Sequence, residues 1–153
     1  MKKIVSIVTL ALVLALTLSL FAPAFAASAT RTVTFNLALR QNTLWALYGV
    51  DVYLDGQKIV HLDQGDLRTV TAALSDGQHS FEVRGTGSDY SYNYTVGYMN
   101  SLLDGDVMNI TLQTHEYWIE FKSATRNGTN YSMSTEMNDA SRLIGDLITW
   151  FVA

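Results

Sequence analysis

The stretch VDVYLDGQKIVHL, residues 50–62, constrains the fold more than any other. Val50, Val52 and Leu54 share one face of an extended segment. Asp55-Gly56 then separates them from a second run, Lys58 to Leu62. An Asp-Gly pair between two such runs is the strongest short hairpin signal, because both central residues of the matching turn have positive φ. The same pattern recurs along the chain. RTVTFNLALR alternates through Val33, Phe35, Leu37 and Leu39, and LRTVTAAL through Val70, Ala72 and Leu74, after a turn at Gln64-Gly65. SDGQ turns at Asp76-Gly77 into HSFEVRG, which carries Phe81 and Val83. Asp104-Gly105 precedes the alternating Met108, Ile110 and Leu112. EYWIEFK sets Tyr117, Ile119 and Phe121 against Glu116, Trp118, Glu120 and Lys122. A loop around Asn127-Gly128 leads to a last strand near Tyr131 to Met137. Period-two alternation places one face in a core, and turns every 8–12 residues or so read as a sandwich or barrel. The expected fold class is mainly β, an antiparallel β-sandwich of about eight or nine strands.

The last segment changes period. In NDASRLIGDLITWFVA, Leu143, Ile144, Leu147, Ile148 and Phe151 recur at helical spacing, with Asn138 or Asp139 placed to cap the first turn. The expectation is an amphipathic helix over about residues 139–152 that packs on the sheet, with membrane insertion and docking on a partner as the alternatives. Gly145 weakens it by roughly 1 kcal/mol relative to alanine.

At the other end, Lys2 and Lys3 precede an apolar run from Ile4 to Ala22, a break at Pro23, and the small residues of A-F-A. This is the layout of a bacterial-type secretory signal peptide over residues 1–26, cut after Ala26. An uncleaved anchor is the competing reading, because the run approaches the roughly 20 residues that span a bilayer. Residues 27–153 are then one secreted or cell-wall-associated domain, a usual size for a single core. Without the leader, 8 basic side chains face 14 acidic ones, a formal charge of −6. That charge argues against nucleic acid and against anionic membrane surfaces as partners. The chain has no cysteine, which excludes thiol chemistry and a disulfide scaffold.

The clearest candidate binding feature is SDYSYNYTVGYMN, with tyrosines at 90, 92, 94 and 98. Four such rings bring on the order of 600–1,000 Å² of surface, too much to leave contiguous and unused on a soluble domain. The alternate positions, Ser91, Asn93, Thr95 and Gly97, are small and polar, as a solvent face should be. The expectation is therefore that the tyrosines point inward on a half-covered face, beneath Leu143, Leu147 and Phe151 of the helix. Burial between two sheets and an open platform are the alternatives. Tyr90, Tyr92, Tyr94, Tyr98 and Trp118 are the candidate ligand-binding residues, and carbohydrate is the ligand an open platform of this kind suits.

No constellation recommends a reaction. His61, His79 and His115 fall on separate elements, without the convergent donors that a zinc site needs. His79 is placed to close a turn. The carboxylate pairs Asp63 with Asp66, and Asp104 with Asp106, lie beside turn glycines and read as solvated turn caps rather than acid/base pairs or a calcium loop. There is no G-x-S-x-G elbow and no phosphate loop. No catalytic residue, metal or cofactor is expected.

The segment from Val50 to Gly85 resembles small extracytoplasmic β-sandwich modules of the PEGA and carboxypeptidase-regulatory-like type. Val52, Leu54, Asp55 and Gly56 approximate their hydrophobic-x-hydrophobic-x-Asp-Gly hairpin, and Gly77, His79, Phe81 and Val83 fill the later Gly-x-His/Tyr tight turn and hydrophobic-x-hydrophobic strand. The resemblance implies a non-enzymatic module with binding or spacer roles and no catalytic residues. The functional expectation is a non-catalytic secreted interaction or structural module, whose partner is a cell-surface polysaccharide or another secreted protein. A carbohydrate-binding module is the alternative, and a secreted enzyme inhibitor a third reading.

Overall fold

In a computed structural model, residues 30–41 and 46–137 are described; the expected leader and the expected C-terminal helix lie outside them. Among the described residues, ten strands form two five-stranded sheets in a sandwich-like, mainly β arrangement. They are β1 (Arg31–Leu39), β2 (Val50–Leu54), β3 (Gln57–Leu62), β4 (Leu67–Leu74), β5 (His79–Gly85), β6 (Tyr94–Met99), β7 (Val107–Thr114), β8 (Ile119–Arg126), β9 (Thr129–Asn130) and β10 (Ser134–Met137). The first sheet runs β4-β1-β7-β8-β9 and the second β10-β6-β5-β2-β3.

Alternation gave the inward face correctly for most strands. Val33, Phe35, Leu37 and Leu39 of β1, Met108, Ile110 and Leu112 of β7, and Val50, Val52 and Leu54 of β2 are all buried. Phe35 from one sheet meets Phe81 from the other at a ring-centroid distance of 5.9 Å, and Phe121 lies 6.0 Å from Phe81. These rings fill the middle of the core and hold the sheets together through buried apolar area.

The antiparallel expectation needs one correction. β1 and β7 run parallel, with Phe35 beside Met108 and Leu37 beside Ile110. The cause lies in the turns. Asp55-Gly56, with φ of 50° and 79°, closes a true hairpin between β2 and β3. Asp76-Gly77 and Asp104-Gly105 instead carry the chain from one sheet to the other, and the second crossing returns it alongside β1 in the same direction. An Asp-Gly pair signals a turn but does not say whether the next strand stays in the sheet. Asn127-Gly128, read as a loop, is a second tight hairpin, with φ of 50° and 81° joining β8 to β9.

Two polar clusters pin these crossings. Asp106 is buried rather than solvated. It accepts from the Leu103 N–H at 2.6 Å, Asn127 Nδ2 at 2.8 Å and Arg126 Nε at 2.7 Å. Burial alone would raise its carboxyl, but these donors hold it below the ordinary carboxylate range. His79 is also buried, with Nδ1 2.7 Å from Asp55 Oδ2 and Nε2 3.0 Å from the Ser75 carbonyl. It ties the β2–β3 turn to the β4–β5 crossing, the turn-closing role expected of it.

Candidate binding face

β6 inverts the expected orientation of the tyrosine row. The strand begins only at Tyr94, and Tyr90 and Tyr92 lie in the turn before it. Within β6 the buried positions are Thr95, Gly97 and Met99, while Tyr94, Val96 and Tyr98 face outward. The small polar side chains are inside because the opposite sheet fills the space above them. A Cβ on Gly97 would meet Phe121 Cζ at 3.3 Å and Met133 Sδ at 3.2 Å. Thr95 Oγ1 donates to the Ile119 carbonyl at 2.6 Å, and Asn93, fully buried, donates through Nδ2 to the Tyr48 hydroxyl and the Glu116 carbonyl, each at 3.1 Å. Each inward polar group therefore bridges to the other sheet or the turn below. Burial of the row between the sheets is excluded for Tyr92, Tyr94 and Tyr98.

The five nominated residues separate into two groups. Tyr92 and Tyr94, 51 % and 38 % exposed, line an open groove of about 550 Å³ with Glu82, Arg84 and Ser91. Tyr98 stands four positions along the same outward face and donates its hydroxyl to Glu136 Oε2 at 3.1 Å. Tyr90 belongs elsewhere. Its ring stacks on Tyr48 at 4.2 Å and nearly parallel, at the end of the sandwich. Trp118 is on a turn, not on the polar side of a strand. β8 starts after it, and its ring stacks on His115 at 4.4 Å. The turn before β6 is held by N–H donation from Gly85 to the Asn93 carbonyl and from Asn93 to the Tyr90 carbonyl. A side chain at Gly85 would sit 2.3 Å from that Tyr90 oxygen, so only glycine admits this close approach.

Pairing between strands supplies the rest of the face. The register sets Arg84 beside Tyr94 and Glu82 beside Val96 on β6, and Tyr53 beside Glu82 on β2. Arg84 donates to Glu82 through Nε at 2.6 Å and a terminal nitrogen at 3.1 Å, and its guanidinium lies 4.8 Å above the Tyr53 ring. The Glu82 hydrogen bonds raise the Arg84 guanidinium above its ordinary value, so it is a fixed cation. Farther along, Asp51 meets Lys58 at 2.8 Å and His61 at 2.7 Å. Tyr53, Glu82 and Arg84 were not nominated from sequence. Their one signal was their outward parity in VDVYL and HSFEVRG, and that cannot show which residues lie across from them.

The surface is one of aromatic rings flanked by a rigid, charge-balanced Arg–Glu pair. Such a surface can stack against an apolar ligand face and hydrogen-bond to its edges. Among the described residues, no group of three or more His, Asp or Glu side chains converges as metal ligands would. Of the carboxylate pairs, Asp66 caps its own turn by accepting from the Asp63 N–H at 3.2 Å, whereas Asp104 accepts from the Thr32 N–H of β1 at 2.7 Å and Asp106 is buried. Comparison with known proteins finds no matching family model, no similar characterised protein and no similar solved structure.

Proposed function

We propose that the chain is a non-catalytic, secreted binding module that takes an uncharged polysaccharide on the outer face of the β10-β6-β5-β2-β3 sheet. One observation carries this reading: Tyr92, Tyr94 and Tyr98 face out, and Tyr92 and Tyr94 form a groove with Glu82, Arg84 and Ser91. Sugar rings have apolar faces that stack on aromatic side chains and hydroxyl edges that bond to planar polar groups, and the groove offers both. A polyanion fits poorly, because Arg84 is already held by Glu82 and the secreted chain carries a formal charge of −6. The resemblance of Val50 to Gly85 to extracytoplasmic modules agrees with a binding role, and the leader with secretion.

The test is affinity electrophoresis of the chain through gels containing neutral or acidic cell-wall and plant polysaccharides. Retardation is expected in a neutral polymer. Tyr92→Ala and Tyr94→Ala should each weaken it about tenfold or more. Both rings are exposed, so thermal midpoints should stay within the range of ordinary surface substitutions, about 0.5 kcal/mol. Unaltered mobility in every polymer, or loss of the fold in both variants, would refute the proposal.

A further inference from the structure

We infer that the edge of β4, unpaired among the described residues, pairs two copies of this chain into a two-fold dimer with a continuous sheet. A sheet edge carries unpaired N–H and C=O groups, and proteins that stay apart shorten, charge or kink their edges. Three of the four edges here are treated in one of these ways. β9 has two residues and β10 four, while β3 carries Lys58 and His61 and pairs through a bulge. β4 differs. Its eight residues, LRTVTAAL, pair with β1 without interruption from Arg31–Leu74 to Ala38–Leu67, and their only charge is Arg68.

The hydrogen-bond phase identifies the free groups. The Leu39 N–H donates to the Asp66 carbonyl, so even-numbered residues from 66 to 74 address β1. Leu67, Thr69, Thr71 and Ala73 turn their backbone groups outward, and all four are exposed. These positions are self-complementary. A two-fold axis at Val70 sets Leu67 against the partner's Ala73 and Thr69 against the partner's Thr71, which satisfies all four residues of each copy with about eight hydrogen bonds. No like charges meet.

Charge favours a second copy over an unrelated strand. Arg68 lies opposite Leu37, so it is on the inner face of the sheet, where within one copy its exposed guanidinium pairs with Asp66 at 3.0 Å and would exchange that partner on dimerisation. In the dimer the partner's Arg68 stands across from Ala72, at a slot of about 280 Å³ between β3 and β4. Leu54, Ile59 and Leu74 line the slot beside Asp55 and Gln57, whose oxygens offer acceptors to the incoming guanidinium.

Sedimentation velocity over a dilution series, with amide hydrogen exchange, tests this on the purified chain. The expected result is a reversible dimer in which the Leu67, Thr69, Thr71 and Ala73 amides are protected and lose protection on dilution. Thr71→Pro removes an outward N–H that the fold does not use, and should give a folded monomer. Should that variant not fold, Arg68→Glu decides instead, by raising the dimer dissociation constant at least tenfold. A chain that is monomeric at every concentration, a dimer in which those four amides exchange freely, or a dimer unaffected by the deciding substitution overturns the inference.

Discussion

Tyr48 and Tyr94 occupy opposite ends of what one residue type can do in this fold. Tyr48 is 5 % exposed, stacked under Tyr90, with its hydroxyl donating to the His115 carbonyl at 2.7 Å and accepting from Asn93. Tyr94 is 38 % exposed, on a strand whose inner face is occupied by Thr95 and Gly97. The difference is in where the hydroxyl finds its partner. A buried phenol left unbonded costs about 1–3 kcal/mol, so tyrosine goes inside only where a backbone carbonyl or an amide waits for it. On β6 the residues packed above leave room inside only for small side chains, so the Tyr94 ring goes out and becomes available to a ligand.

The largest expected effect tests the buried half of that contrast. Tyr48→Ala removes a stacked ring and one of the two acceptors of Asn93 Nδ2, and should destabilise the fold by about 3–5 kcal/mol in urea unfolding. A loss below about 1 kcal/mol would break the comparison, since Tyr48 would then be no more structural than Tyr94. The same group adds an alkaline signature. Burial pushes its phenol up from 10.0 to about 12, with the Asn93 hydrogen bond opposing. Because the folded state holds the proton more tightly, that contribution is complete below about pH 10 and lost as pH rises through about 12. Tyr48→Phe should abolish this dependence.

An intermediate effect tests why β6 turned its tyrosines outward. Thr95→Val keeps the shape but removes the donor to the Ile119 carbonyl, leaving a buried acceptor unpaired. The expected cost is about 1–3 kcal/mol by thermal unfolding, with polysaccharide retention unchanged. A neutral substitution would mean that the Thr95 bond does not decide which face of β6 is inside.

The legibility of the molecule in its sequence divides along the same line. Strand positions and most inward faces follow from period two, because for β1, β2 and β7 apolar and inward coincide. For β6 they do not. Its inward residues are small and polar because Phe121, Met133 and Tyr48 come from elsewhere in the chain to cover them, and no local window contains that information. The same reason hid the parallel β1–β7 pair and the burial of Asp106, both set by what a crossing brings alongside. Of the site, Tyr92, Tyr94 and Tyr98 were legible as a row. Glu82, Arg84 and Tyr53 were not, since the β2–β5–β6 register assembles them.

The smallest expected effect concerns the charged margin of the outer face, where His61 lies between Asp51 at 2.7 Å and Asp63 at 3.3 Å. The Asp51 hydrogen bond, then that of Asp63, outweighs desolvation and raises the imidazole above its ordinary 6.5. For Asp51, burial opposes ionisation, but Lys58 and His61 together hold its carboxyl below 3.8. The signs are opposite. His61 contributes fully below about pH 6.5 and loses that contribution as pH rises through its higher folded value, while Asp51 contributes above about pH 3.8 and loses it as pH falls. Stability from the pair is therefore greatest between those limits and declines toward neutral and alkaline pH. His61→Gln should flatten that decline in thermal midpoints measured from mildly acid to mildly alkaline buffer, and added salt should flatten it in the parent chain, because the imidazole is exposed and screened. A decline that persists in the variant would place the titrating group elsewhere. A decline that disappears while Tyr94-dependent retention is unchanged would show that the charged margin and the aromatic groove of this face act independently.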